Sequence, residues 1–273
     1  MTDRPLWALI LGASSGFGEA TALELAARGY DICGVHLDRR AGLQHVEEIK
    51  AAIAGQGRRA LFFNVNAADA EKRAQVLDGL AAAMAENGGT LRVLLHSLAF
   101  GTLREFVPAD PKEALTKDQM EMTLDVMAHT LVYWTQDVVY RGLLGEGGRI
   151  FAMTSSGGSR VIPSYGAVSA AKAALESHVR QLALELAPRG ITVNAIRAGV
   201  TDTPALRKIP GAEWMIESAL RLNPHRRLTT PQDVARAIAA LAGPDTAWIT
   251  GDVIGVDGGE DIVGMMPPRE PGA

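Results

Sequence analysis

Trp7-Ala8-Leu9-Ile10-Leu11-Gly12-Ala13-Ser14-Ser15-Gly16-Phe17-Gly18 is a short apolar run that passes straight into three glycines, and the residues from Gly16 to Arg28 place Ala20, Leu23 and Ala27 on one side of a helix. A continuous apolar run of this length reads as a buried strand, and the rhythm after it as an amphipathic helix. Glycines at a strand-to-helix turn let the backbone bend tightly and approach a bound group. The free N–H groups and positive dipole end of the following helix attract phosphate. This is the setting of a dinucleotide-binding loop, with Gly12, Ser14, Ser15, Gly16, Phe17 and Gly18 as its members. A plain glycine-rich turn has the same local composition, so the rest of the chain must decide.

Similar apolar runs recur at Ile32-His36, Ala60-Val65, Val93-Ser97, Arg149-Thr154, Ile191-Ile196 and Val253-Val256, with helical periodicity between them, as in Leu43, Val46, Ile49 and Ile53. Strands that are apolar throughout, alternating with helices, imply a parallel sheet covered on both faces. The expected fold is α/β: a single Rossmann-type, doubly wound sheet of seven parallel strands with helices on both faces. Thr230-Pro231-Gln232-Asp233 is a helix start signal, with Thr230 as N-cap and Pro231 in the first turn. Glycine clusters at Gly55 to Gly57 and Gly145 to Gly148 are too short for interdomain linkers, and there is no internal repeat. One domain over residues 1–266 and a mobile tail over 267–273 are expected.

The chain has 273 residues, 47% hydrophobic and 21% charged, which suits one large core. A net charge of -4 gives no global attraction to nucleic acid or acidic lipid. The single cysteine, Cys33, lies in an apolar run and reads as a buried strand residue. The opening Met-Thr-Asp-Arg-Pro is no charged-then-apolar leader, and no stretch is long enough to cross a bilayer. A cytoplasmic protein with no membrane or nucleic-acid partner and no metal site is expected.

The end of the second strand bears on the choice of cofactor, because an acid there bonds the ribose hydroxyl of NAD and a basic residue accepts the phosphate of NADP. The sequence is His36-Leu37-Asp38-Arg39-Arg40. Counted from Gly18, Asp38 fits the ribose acid at an interval of about 20 residues. Counted along the strand, His36 occupies the acid's seat and Arg39 and Arg40 point to a phosphate, which a guanidinium binds through two oxygens. NADP(H) is favoured, with NAD(H) the alternative.

After the fifth apolar run comes Ser155-Ser156-Gly157-Gly158-Ser159-Arg160-Val161-Ile162-Pro163-Ser164-Tyr165, then a helix containing Lys172. Here the chain resembles the short-chain dehydrogenase/reductase family, with Tyr165 and Lys172 at its tyrosine and lysine. Most members place the tyrosine four residues before the lysine, a slot held here by Val168; Tyr165 lies seven before. Seven residues are two helical turns less about 20 degrees, which would set the pair on one face roughly 10 Å apart along the axis. The wider spacing resembles the enoyl-thioester reductases, which reduce a carbon–carbon double bond. Hydride addition to such a thioester leaves an enolate, so Tyr165 would donate to the thioester oxygen as charge develops. Lys172 would hold the ribose hydroxyls and lower the phenol's pKa through its charge. Ser155 takes the place of the catalytic serine of ketoreductases; its plain alternative is a hydroxyl that satisfies the strand-end backbone.

Other motifs extend the resemblance from about Leu6 to Val263. His96-Ser97-Leu98-Ala99-Phe100 is similar to the first class of bacterial enoyl-acyl-carrier-protein reductases. Gly101-Thr102-Leu103-Arg104, Thr201-Asp202-Thr203-Pro204-Ala205-Leu206-Arg207-Lys208 and the intact glycine triplet resemble the third, which is the best match. The resemblance implies cofactor contacts at Asn64 and Val65, at Ser97, and at Gly199 and Thr203. It departs from the ketoreductases at Asn64, where they carry an acid, and at Met127, where their helix asparagine supports a proton relay. Met127 can serve no such relay. Arg197 in Asn194-Ala195-Ile196-Arg197-Ala198-Gly199 fits neither pattern.

Residues at about 204–223 carry Ala205, Leu206, Ile209, Trp214, Met215, Ile216, Ala219 and Leu222 at helical spacing and are expected to form a lid against an acyl chain. Arg207, Lys208, Arg221, His225, Arg226 and Arg227 flank them as a local basic edge, suited to acyl carrier protein or the phosphates of coenzyme A, or simply solvated. The family resemblance implies a homotetramer built on the helices at about Asp118 to Leu144 and Tyr165 to Leu186. The leading expectation is NADPH-dependent reduction of an enoyl thioester in fatty-acid synthesis. The runner-up is a ketone or ketoacyl reductase with a displaced tyrosine, supported by Ser155 and the intact glycine triplet. A non-catalytic dinucleotide sensor would have lost the tyrosine or the lysine, and both are present.

Overall fold

The computed structural model describes residues 4–265. Seven strands, β1 (Leu6–Leu11), β2 (Tyr30–His36), β3 (Ala60–Asn64), β4 (Thr90–His96), β5 (Leu144–Thr154), β6 (Thr192–Ala198) and β7 (Val253–Val256), form one sheet in the order β3-β2-β1-β4-β5-β6-β7. Every pairing is parallel. The connecting helices are α1 (Gly16–Ala27), α2 (Leu43–Gly55), α3 (Ala70–Asn87), α4 (Lys117–Leu124), α5 (Thr130–Tyr140), α6 (Gly166–Leu186), α7 (Ala212–Leu222) and α8 (Pro231–Leu241).

The central strands are largely apolar because they bury both faces, whereas the edge strands β3 and β7 are only partly buried. Trp7, Leu9 and Leu11 of β1 pack with Leu80 of α3, Trp134 of α5 and Leu175 of α6, while Ala8 and Ile10 point the other way to Leu25 of α1, Ile53 of α2 and Ile238 of α8. Cys33 is fully buried in β2, as expected. From β1 the chain winds outward to β2 and β3, then returns to lay β4 on the opposite side. The reversal opens a crevice at the carboxyl ends of β1 and β4, where this class of sheet binds its ligands.

Several boundaries differ from those expected. Strand β5 starts at Leu144, so Gly145 to Gly148 lie within it as an irregularity, where the pairing jumps from Leu91–Leu144 to Val93–Arg149. The helix expected over Asp118 to Leu144 is broken by a π-helical stretch, Asp125–His129, and ends at Tyr140. There the Thr130 hydroxyl donates to the Val126 carbonyl at 2.8 Å, a side-chain bond that competes with the helical ladder. Helix α6 begins at Gly166, leaving Tyr165 as its cap rather than in its first turn. Helix α8 starts as read, with a Thr230–Asp233 capping box and Pro231 in its first turn. The tail, 267–273, lies outside the described residues, among which no helix is long and apolar enough to cross a membrane.

Candidate active site

The loop after β1 is packed too closely for side chains. Gly12 has φ +91°, and a Cβ on it would collide with the Ser97 carbonyl; one on Gly18 would collide with the Gly12 carbonyl. Both amides of Gly12 and Ala13 donate to Val35 O, at 2.8 and 3.0 Å, which anchors the loop to β2. Ser15 caps α1 in extended conformation without a side-chain bond, so its first-turn amides have no side-chain cap. Thr203 lies over Gly16, its Cγ2 3.5 Å from where a Cβ would stand. Its hydroxyl accepts from Leu206 N at 3.2 Å. A backbone cradle at a helix head, with open amides, fits the diphosphate of a dinucleotide.

At the outer end of the crevice, His36 is buried and its Nδ1 lies 2.8 Å from Asp38 Oδ2. The seat that strand counting gave to His36 therefore turns inward, and Asp38 is the partly exposed acid. Asn64 holds Asp38 by its backbone, accepting from Asp38 N at 2.9 Å and donating to Asp38 O at 3.0 Å, so both ends of its amide are engaged. Val65 N donates to His36 O at 2.8 Å. Arg39 and Arg40 are exposed, and their guanidinium groups bond no described residue.

The inner end is a cleft of about 200 Å³ to which Phe17, Ser97, Ser155, Tyr165, Lys172, Gly199 and Thr203 all contribute. It thus unites residues drawn from five separate segments of the sequence. Tyr165 is placed by a tight approach: Ser164 before it has φ 59°, an uncommon left-handed conformation for a side chain of this type. Val168, in the alternative tyrosine slot, is 4% exposed, packs against the core and also lines this cleft. Burial raises the Tyr165 phenol above its ordinary value, and a hydrogen bond with Ser155 opposes the rise. This corrects the expectation that Lys172 lowers it. The lysine is drawn elsewhere: its Nζ donates to Met153 O at 2.7 Å. Burial brings Lys172 down to about 8, against which Glu176 acts in favour of the charge. Ser155 lies beside the phenol and accepts from Gly157 N at 3.2 Å, the backbone contact that was its plain alternative.

Behind the cleft, His96 is fully buried, with Nε2 2.8 Å from Thr130 Oγ1. Because that hydroxyl donates to Val126 O, it accepts from His96, which fixes the Nε2–H tautomer. Burial, then Lys172, lowers His96 to about 3, so the ring is neutral. Met127 lines the cleft from the π-helical stretch and offers no polar group.

Leu206, Ile209 and Met215 from the segment expected to be a lid wall the cleft, whereas Trp214 is 69% exposed. The basic edge is smaller than its composition suggested. Arg207 is held by both oxygens of Asp202 at 2.6 Å, Arg227 by Asp233 at 2.6 and 3.1 Å, and Arg226 donates to Arg221 O at 2.6 Å. Lys208 stands at the cleft itself. Arg197 also finds its explanation: it pairs with Asp261 at 3.0 Å. Residues overlooked in the sequence include Thr154, whose hydroxyl lies 2.7 Å from Glu176 Oε1, and Leu103 and Ile162 in the cleft wall. Glu176 follows Lys172 by four residues, and that same-face spacing was the available signal.

A doubly wound parallel sheet, a glycine cradle at its reversal point, and a tyrosine and lysine in the adjoining cleft define an oxidoreductase that uses a nicotinamide dinucleotide. A family model described as enoyl-(acyl carrier protein) reductase matches residues 12–260. The chain belongs to the short-chain dehydrogenase/reductase family, within which it resembles the enoyl-acyl-carrier-protein reductases. It is 35% identical to 1-cyclohexenylcarbonyl-CoA reductase of Streptomyces collinus, over 97% of this chain and 90% of that one. It is 33% identical to a 3-oxoacyl-acyl-carrier-protein reductase of Aggregatibacter actinomycetemcomitans, over 92% and 97%. The crystal structure of enoyl-acyl-carrier-protein reductase (NADH) from Aquifex aeolicus VF5 superposes with a TM-score of 0.81 at 26% identity, covering 96% of this chain and 99% of that one.

Proposed function

We propose that this protein reduces the carbon–carbon double bond of an enoyl thioester, carried on acyl carrier protein or coenzyme A, with NADPH, in fatty-acid synthesis. The observation that carries the reading is the entry of Tyr165 and Lys172 into one cleft from positions seven apart, while the nearer slot presents only the apolar side chain of Val168 to it. The bound nicotinamide would supply the hydride. Tyr165, kept protonated by burial, donates a hydrogen bond to the thioester oxygen as enolate charge grows on it. Ser155 orients the phenol, and Lys172, charged below about pH 8, binds the ribose hydroxyls. Leu103, Ile162, Leu206 and Met215 give the acyl chain an apolar wall and keep water from the reacting carbon.

Arg39 and Arg40, exposed and unengaged, support the phosphate-bearing cofactor, as does the engagement of Asp38 with His36. The name of the Aquifex relative specifies NADH, so the preference in this chain would rest on those two arginines. Thioester carrier contacts are assigned to Lys208 and its neighbours at the cleft, and a homotetramer through the faces of α4, α5 and α6 is proposed.

The placement of Ser155 with Tyr165 in the cleft favours a second reading, reduction of a ketone or 3-ketoacyl thioester, in which a serine beside the phenol steadies the carbonyl oxygen. One assay separates them: loss of nicotinamide absorbance with a crotonyl thioester and, separately, an acetoacetyl thioester. Oxidation of the cofactor by the acetoacetyl compound alone would overturn the enoyl reading.

A further inference from the structure

Successive turns of α6 grip successive residues of β5. Lys172 Nζ donates to the Met153 carbonyl at 2.7 Å, and one turn later the Glu176 carboxylate accepts from the Thr154 hydroxyl at 2.7 Å. Gly158, from the segment between strand and helix, lies against both: a Cβ there would be 3.1 Å from Glu176 Oε1 and 3.6 Å from Lys172 Cβ. Met153 and Thr154 immediately precede Ser155, and Tyr165 stands at the head of the same helix. The double grip therefore fixes the register of the helix that carries the lysine against the strand that carries the serine.

We propose that Glu176 is a positioning residue: its negative charge keeps Lys172 charged, and its bond from Thr154 beside the Lys172–Met153 bond seats α6 on the end of β5. The inference deepens the reading of the site given above and rests on its assignment of Lys172 to the cofactor ribose. The electrostatic need is plain. Lys172 and Thr154 are 5% and 6% exposed, and a buried ammonium loses its hydration. Its bond to a neutral carbonyl offsets only part of that loss. The titratable groups around it are Glu176 on its own helix, Tyr165 at the head of that helix and His96 from β4. His96 is buried and neutral, and the phenol is kept neutral by burial. Among the groups acting on Lys172, the negative charge is that of Glu176.

The test separates charge from hydrogen bonding. Glu176→Gln retains an oxygen that can accept from Thr154 but removes the charge; Thr154→Val removes the bond and keeps the charge. The dissociation constant of NADPH, or of NADH should that be the cofactor bound, is followed by nicotinamide fluorescence from about pH 6 to about pH 10 on the full chain, with thermal melting in parallel. The wild-type affinity should weaken through an alkaline midpoint near 8, and Lys172→Met should abolish that limb. Glu176→Gln should move the midpoint down by about one pH unit, and Thr154→Val should leave it in place while lowering the melting temperature. An unmoved midpoint in Glu176→Gln, an equal movement in Thr154→Val, or a wild-type affinity without an alkaline limb would each overturn the proposal. If Glu176→Gln does not fold, Glu176→Asp decides: the shorter acid keeps the charge, so a midpoint displaced downward would refute the electrostatic role. Because binding needs no thioester, inactivity on crotonyl thioester alongside the displaced midpoint refutes the substrate reading alone. Crotonyl reduction with an unmoved midpoint refutes the role of Glu176 alone.

Discussion

The Arg197 guanidinium at the end of β6 lies 3.0 Å from the Asp261 carboxylate beyond β7, and the same carboxylate reaches Arg160 at 2.9 Å. Arg160 belongs to the segment that delivers Tyr165 and also donates to Asp261 O at 2.6 Å, while neighbouring Glu260 accepts from Val200 N at 3.1 Å. Two segments that meet at the cleft are thus tied to the one beyond β7 at one point. The groups are partly exposed, so Asp261→Ala should cost about 1 kcal/mol or less in a denaturant titration. The same change should lower kcat/KM several-fold, because the tyrosine segment loses its tether. Unchanged kinetics would show the link to be incidental.

In the proposed reaction Tyr165 is the donor to the developing enolate, so Tyr165→Phe should lower kcat by about 10²- to 10⁴-fold with the melting temperature retained. Ser155→Ala leaves the phenol in place but removes its hydrogen-bond partner, and a smaller loss is expected. Full activity in Tyr165→Phe would exclude the residue from the chemistry.

Replacing Arg39 and Arg40 together by Ala should raise the KM for NADPH roughly ten- to a hundredfold, the worth of one charge-assisted contact to a phosphate. The KM for NADH should hardly change. Equal effects on both cofactors would show that the arginines do not read the phosphate.

Gly18 and Gly55 make a paired test of close approach. A methyl at Gly18 meets the Gly12 carbonyl, which belongs to a backbone fixed by β2, whereas nothing lies within 4 Å of a Cβ at Gly55 near the end of α2. Gly18→Ala should abolish dinucleotide binding or folding; Gly55→Ala should stabilise by about 0.5–1 kcal/mol in a thermal melt.

Asp233 closes the capping box of α8 with Thr230 and is held by Arg227, whose hydrogen bond keeps its carboxyl well below the usual carboxylate range. A carboxyl depressed in the folded state stabilises at neutral pH and loses that contribution as the pH falls through the acid range. Asp233→Asn should therefore cost about 1 kcal/mol at pH 7, and its difference from the wild type should shrink below about pH 4. A difference that stays constant with pH would refute the ionic contribution.

Much of the sheet was legible because its signals are local. Strands apolar on both faces, the glycine cradle and the start of α8 each depend on neighbours within a turn or two, where spacing maps directly onto geometry. Legibility failed where a distant partner decided the outcome. The break in the helix after β4 depends on Thr130 bonding Val126 while His96 bonds Thr130 from another strand. Arg207 and Arg227 look like a cationic edge until Asp202 and Asp233 fold back onto them.

The chain by itself determined a seven-stranded parallel α/β sheet, a glycine loop at Gly12, Gly16 and Gly18, and the seven-residue interval between Tyr165 and Lys172. Tertiary structure decided what those residues are. It took Tyr165 out of the helix, turned Lys172 onto Met153 and set the phenol in one cleft with Ser155. It also buried His36 and left Arg39 and Arg40 open to solvent. The division has one physical reason: secondary structure follows from periodicity along the chain, whereas protonation state and partner follow from desolvation and contacts that arise only when remote segments close on one another.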